Sequence, residues 1–260
     1  MAEPTQGIKN KEPLFSIITV TYNAASTVGR TIDSVDCQTF GDYEHMIVDG
    51  ASRDRTLDIV TSGSNPRRRW LSEADRGIYD AMNKGISSTT GKYLIFLNSG
   101  DKFHSPEVLS KIAAAIREHN DPGIVYGQTN IVDENGQFLY PRHLTAPEKL
   151  TLRSFASGML VCHQAFIALR KVTGFYNVSY RFSADYDWCI QCLQHSRCNV
   201  GLTSEVLVDY LSGGMTDKNR RKSLVERFRI MSYYYGFMPT LWRHVGFFLR
   251  WRKRKAQGRE

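Results

Sequence analysis

The chain has 260 residues, 42% of them hydrophobic, and sets 34 Lys and Arg against 26 Asp and Glu, for a net charge of +8 and a pI of about 9.2. That is enough apolar material for one sizeable core, and it excludes a disordered, collagenous or disulfide-stapled chain. Five cysteines (Cys37, Cys162, Cys189, Cys192, Cys198) are an odd number and read as free thiols; the polar residues 1–12 read as a flexible start without a signal peptide, and no apolar run reaches the ~20 residues of a membrane span, so the expectation is a cytoplasmic protein.

In chain order, residues 15–21 (FSIITVT) form a β-branched run of the kind buried on both faces of a sheet. Ser26 is placed to cap a helix whose Val28, Ile32 and Val35 share a face. Residues 45–49 (HMIVD) predict a second strand, 54–61 a helix, 69–73 a weak third strand, 78–86 a helix and 93–97 (YLIFL) the clearest buried strand. Ser105, Pro106 and Glu107 make a helix start, with Val108, Leu109, Ile112 and Ile116 on its inner face. Residues 124–126, 129–132 and 137–140 predict short strands, the last two joined by a hairpin at Asn135-Gly136. Helices are expected at 184–195 and 223–235. Strands alternating with helices imply an α/β fold with a mostly parallel sheet, whose ligands lie beyond the carboxyl ends of its strands.

That rule selects Thr21-Tyr22-Asn23, Asp49-Gly50 and Asn98-Ser99-Gly100-Asp101, with Arg76 between them in sequence. Hydroxyls, amides, a cation and carboxylates are what a nucleotide diphosphate and its divalent metal need. A lone Asp at a strand end is as often a helix cap or a plain loop acid.

Taken together, SIITVTYNA, IVDGASRDRT and EADRGIYDAMNKGISSTTGKYLIFLNSGD, followed by CHQAF, SADYDW and YLSGGMT, resemble the family 2 glycosyltransferases, especially the bacterial branch that builds capsular, colanic-acid-type and other exopolysaccharides. The resemblance implies a Rossmann-like A-type glycosyltransferase fold that moves a sugar from a nucleotide donor, with uridine as the family-level expectation, to a carbohydrate or lipid-linked acceptor. It implies that Thr21, Tyr22 and Asn23 surround the base, that Asp49 meets base or ribose, and that Asp75 and Arg76 reach nucleotide and phosphates. Asn98, Ser99 and Gly100 then lie at the donor, and Asp101 holds Mn²⁺ or Mg²⁺. Asp185 matches the base of inverting members, with Asp187 as its rival two residues on. His163 and Gln164 fall near donor or acceptor, although His163 reads equally well as a structural histidine. Gly213 and Gly214 fall in a loop that can cover the phosphates.

Two departures stand out. The common Val-Asp-Asp-Gly-Ser is here Val48-Asp49-Gly50-Ala51-Ser52, and the common Asp-x-Asp-Asp is Asn98-Ser99-Gly100-Asp101. One carboxylate remains for the metal, and Asn98 offers an uncharged oxygen.

Other readings weigh less. Cys189, Cys192, His195 and Cys198 suggest zinc, but three of them recur on one helix and a tetrahedral site wants a second element; these cysteines read as small apolar residues. A nucleotidyltransferase would open with a Gly-rich basic loop, and a dehydrogenase with G-x-G-x-x-G, and neither follows the first strand. A nucleic-acid-binding protein fits the pI but not the acidic strand ends, so no nucleic-acid partner is expected.

The expected organisation is a catalytic domain over 13–217, divided into a nucleotide half (13–104) and an acceptor half (105–217), and a helical extension over 218–260. That extension mixes Trp242, Phe247, Phe248 and Trp251 with basic residues. It suits contact with an anionic membrane surface, hence a peripheral place on the inner face of the cell membrane. A tail packing its aromatics back on the domain is the plainer reading.

Overall fold

The computed structural model describes residues 12–213 and 219–256; the segment before Glu12 and the loop glycine Gly214 lie outside the described residues. β1 (Phe15–Thr21) is buried at every position. It lies between two parallel neighbours, β2 (Tyr43–Asp49) and β4 (Tyr93–Phe96), and β3 (Arg68–Ser72) extends the same sense beyond β2. Helices α1 (Val28–Asp36), α2 (Thr56–Thr61) and α3 (Ile78–Ser87) make the crossovers. No Ser26 cap forms: α1 begins after Thr27, without a side-chain cap. At α2 the capping carboxylate is Asp54, which accepts from the Thr56 amide at 3.0 Å.

The second half holds β5 (Lys102–Phe103), α4 (Val108–Glu118), β6 (Ile124–Val132), β7 (Phe138–Pro141), the one-turn α5 (Leu152–Phe155), β8 (Phe166–Leu169), α6 (Ala184–His195) and β9 (Asn199–Leu211). The sheet runs β3-β2-β1-β4-β8-β6-β9-β5, with β7 attached to β6 off that path. β8 is antiparallel to β4 and β6, whereas β9 is parallel to β6. The α/β sheet is therefore parallel in its first half and mixed in its second. The two strands expected within 124–132 are one, because the irregularity between Gly127 and Thr129 is taken up by β9, whose residues 203–205 and 207 are skipped in the pairing.

Side chains alternate across β1, so the sheet carries a core on each face. Ile18 and Val20 join Phe96, Tyr126, Phe166 and Trp188 under α3 and α6. Phe15 and Ile17 join Tyr93, Ile95, Leu109, Ile112 and Ile116 under α4. Each such side chain contributes about 1.5–3 kcal/mol by leaving water. Cys189 and Cys192 are buried in the first core, while Cys198 is exposed, and all five cysteines are free.

α7 (Arg220–Tyr235) and α8 (Phe237–Ala256) follow. α7 sends Ile230 and Met231 into the core, and its Phe228 packs edge-on against Phe237 and His244 of α8. α8 turns Thr240, His244 and Phe247 inward and leaves Phe237, Met238, Leu241, Trp242, Val245, Phe248 and Leu249 exposed. At 100° per residue those seven fall within a sector of about 140°. Among the described residues no helix is long and apolar enough to cross a membrane.

Candidate active site

The carboxyl ends of β1, β2 and β4 converge, as the sequence rule requires. At β2, Asp49 is fully buried and saturated by the protein itself. Ser52 donates its amide (3.0 Å) and hydroxyl (2.5 Å), and Ser72 its hydroxyl (2.7 Å). What Asp49 gives the site in this structure is the shape of the 50–52 turn. Asn23, at a left-handed φ of 47°, locks onto that turn through Ser52 Oγ (2.8 Å) and the Arg53 amide (2.9 Å). A Cβ on Gly50 would stand 2.5 Å from the Asp75 carboxylate and 3.3 Å from the Tyr22 ring, so Gly50 lets these two side chains meet. Tyr22 is 61% exposed there. Arg76 lies on the outer surface, paired with Asp80 at 3.2 Å. Thr21 Oγ1 is buried without a hydrogen-bond partner among the described residues.

The turn after β4 is built more tightly. Gly100 adopts φ +100°, and a Cβ on it would sit 2.6 Å from the Leu211 side chain. Its carbonyl accepts from Arg30 Nε, and its amide donates to Thr31 Oγ1. Asp101 is 3% exposed. It accepts from Gln164 Nε2 (2.8 Å) and from the Leu211 amide (2.9 Å). Burial pushes its carboxyl up to about 7, against the lowering effect of those two donors and of Arg30. Asn98 Oδ1, three residues before, is buried with no partner among the described residues.

A carboxylate that wants a compensating cation and an amide oxygen that wants any partner fit a hard divalent ion. Such ions often take one or two carboxylates and complete their shell from phosphates and water. Among the described residues there is no group of three acids, histidines or cysteines to hold a metal by protein ligands alone.

A cavity of about 520 Å³ opens beside this turn. Asn98, Ser99, Asp101, His163, Gln164, Asp185 and Gly213 line it. Thr21, Tyr22, Asn23, Asp49, Asp75, Arg76 and Gly100 do not, so the expected residues divide between an open groove and an adjoining pocket.

Asp185 begins α6 and accepts from Tyr79 Oη (3.2 Å) and the Tyr186 amide (2.9 Å), both on Oδ1. Oδ2 accepts no hydrogen bond among the described residues. Asp187 is spent: Tyr234 holds one oxygen (2.9 Å) and Gln191 the other (2.7 Å), and its side chain points to α7 instead of the cavity. His163 is buried against Phe96 and Trp188, shares a 2.7 Å hydrogen bond with Tyr176, and is pushed down to about 4 by burial, so it is neutral. The structural reading describes its contacts, although one face still borders the cavity.

The sequence missed Tyr79, Tyr140, Arg142, Leu144, Met159, Arg181 and Arg227 on the cavity wall. Tyr79 carried a usable signal, since it follows the Asp75-Arg76 segment at the start of a helix. Tyr140 and Arg227 lie on elements the sequence predicts but carry no motif, and the others come from segments without legible periodicity.

A sheet parallel in its first half and mixed in its second, with a buried acid just beyond the fourth strand, defines an A-type glycosyltransferase fold. Solved structures share it. The model matches Staphylococcus aureus TarS 1–349 in complex with UDP-GlcNAc at a TM-score of 0.70 and 18% identity, covering 85% of this chain and 66% of that one. It matches the Pyrobaculum calidifontis mannosyltransferase PcManGT, in complex with GDP-Man and Mn²⁺, at 0.59 and 15%, covering 91% and 75%. The chain belongs to glycosyl transferase family 2, whose family model matches residues 16–173. It is 34% identical over 223 residues to a PGL/p-HBAD biosynthesis glycosyltransferase of Mycobacterium tuberculosis, covering 82% of this chain and 84% of the relative. A second M. tuberculosis protein, an uncharacterized glycosyltransferase, is 32% identical over 186 residues, 69% of this chain and 68% of its own length. Family membership decides against the nucleotidyltransferase and nucleic-acid-binding readings.

Proposed function

We propose that the protein transfers a sugar from a uridine diphosphate sugar to a hydroxyl of a saccharide or lipid-linked acceptor, with inversion at the anomeric carbon. The observation that carries this is one cavity shared by Asp101, from the end of β4, and Asp185, from the start of α6. In this reading residues 13–104 take the donor and 105–217 the acceptor. Tyr22 and Asn23 flank the base on the frame that Thr21 and Asp49 shape, and Asp75 and Arg76 close the nucleotide groove. Residues 98–100 approach the diphosphate, and Gly213 and Gly214 cover it. TarS bound to UDP-GlcNAc supports a uridine donor, and PcManGT bound to Mn²⁺ supports a cation.

The chemistry follows from the free oxygen. The acceptor hydroxyl attacks the anomeric carbon from the face opposite the diphosphate, the carbon–oxygen bond to the diphosphate breaks, and Asp185 Oδ2 takes the hydroxyl proton. Tyr79 and the Tyr186 amide fix the carboxylate through its other oxygen. Asp101 and Asn98 would hold a divalent cation, which when bound offsets the charge that develops on the leaving diphosphate. Gln164 and the Leu211 amide orient Asp101 for that task.

The extension supplies the location. The exposed apolar face of α8, followed by Arg250, Arg252, Lys253, Arg254 and Lys255 with no acid in the helix, suits the interface of an anionic membrane where lipid-linked acceptors reside.

Calorimetric titration with UDP, GDP and CDP, each with and without Mn²⁺, tests the donor. The expected result is tightest binding by UDP with Mn²⁺; no binding by any nucleotide overturns the reading. Proton NMR of the glycosidic product then reads the anomeric outcome.

A further inference from the structure

One wall of the cavity is of a different character from the rest. Ile131, Tyr140, Leu144 and Met159 line it from β6, β7 and the segment after them. Ile131 and Tyr140 are cross-strand partners, so the wall starts inside the sheet. Its apolar side chains reach the surface: Tyr140 is 43% exposed and Leu144 38%.

The charged residue on this wall is occupied. Arg142 gives its guanidinium to three backbone carbonyls, those of Leu144 (2.7 Å), Leu160 (3.0 Å) and Met159 (2.7 Å). It therefore builds the wall and has little left for a ligand. His143 is stacked on Tyr140, with ring centroids 5.3 Å apart and planes 16° off parallel. The hairpin is held by its own turn, where Asp133 Oδ1 accepts from the amides of Asn135 (2.9 Å) and Gln137 (2.8 Å).

A subsite for a further sugar ring needs convergent donors and acceptors to read its hydroxyls. This wall has side-chain hydrocarbon and aromatic faces instead. A wall that keeps large apolar side chains, Tyr140 and Leu144, in water at the edge of a reaction cavity marks a binding surface. We propose that this wall binds an apolar aglycone of the acceptor, so that the sugar whose hydroxyl reaches Asp185 is carried on an alkyl or aryl group lying along Ile131, Tyr140 and Leu144. The proposal rests on the reading of the Asp185 cavity as the acceptor site.

The test is equilibrium binding to the full chain, saturated with UDP and Mn²⁺, of four probes: methyl, phenyl and n-octyl β-D-glucopyranoside, the last below its micellar concentration, and methyl β-cellobioside. The expected order is octyl and phenyl at least tenfold tighter than methyl, with cellobioside no tighter than methyl. Leu144→Ser and Tyr140→Ser, both at exposed positions, should each weaken octyl glucoside three- to tenfold and leave UDP binding unchanged; Trp242→Ser on α8 should weaken it by less than twofold. Cellobioside binding tighter than the octyl and phenyl glucosides would make the wall a sugar subsite and overturn the proposal. So would loss of octyl binding in Trp242→Ser alone, unchanged affinity in both wall variants, or no octyl binding to protein that binds UDP. Failure to bind UDP itself would instead overturn the glycosyltransfer reading of the site.

Discussion

Replacing Asp101 with Asn should make the ligand-free protein more stable, and increasingly so as the pH rises. Asp101 is 3% exposed, and burial lifts its carboxyl from 3.8 to about 7. Between those values the folded chain keeps a proton that the unfolded chain has released. Stability therefore falls as pH rises from about 4 to about 7 and stays lost above that. A shift of about three units corresponds to roughly 4 kcal/mol at pH 8. Asn has nearly the same shape and does not titrate. Exchanging a carboxylate oxygen for an amide facing Gln164 adds a constant offset, but the pH-dependent part is unaffected. The advantage of Asp101→Asn over the parent should widen by roughly 2–3 kcal/mol between pH 5 and pH 8. Urea unfolding in EDTA at several pH values measures it, as a midpoint difference that grows by about 1 M. A difference that stays constant over that range would show that burial does not raise the Asp101 carboxyl in the folded chain. Added Mn²⁺ and UDP should then favour the parent more than the variant, because a carboxylate attracts the cation more strongly than an amide oxygen does.

Three further outcomes are expected. Asp185→Asn should lower kcat by about 10²–10⁴-fold with UDP affinity kept, whereas Asp187→Asn should keep turnover and lose about 1–2 kcal/mol of stability; steady-state kinetics and denaturation of both variants separate the roles. Gly100→Ala should cost about 1–3 kcal/mol and weaken UDP binding, since φ +100° and the Leu211 contact both reject a Cβ; melting curves and calorimetry check it. The paired change Trp242→Ser with Phe248→Ser should release the protein from anionic vesicles in co-sedimentation while its melting temperature stays within a few degrees, because both side chains already face water.

The donor half was legible because strands buried on both faces must be continuous apolar runs, and β1, β2 and β4 are such runs. Asp101 was found because it ends one of them. Its burial was not, since that depends on Gln164 and Leu211, 63 and 110 residues away. β8 and β9 were missed for a related reason. β8 is four residues long and set by pairing with β4 and β6, and β9 carries an irregularity that breaks any alternation. Asp185 and Asp187 look equivalent in sequence. Tyr79 and Tyr234 separate them, one reached across 106 residues and the other across 47.

The place of β7 has a consequence for how such enzymes diversify. It hangs from β6 alone, off the path that runs from β3 to β5. Lengthening, shortening or exchanging that hairpin leaves the sheet register intact, and with it the turn that carries Asp101. On the proposed reading, acceptor preference is therefore a replaceable attachment beside an unchanged donor turn. Grafting the 132–144 segment of a relative onto this chain is the economical route to a new acceptor with the old donor.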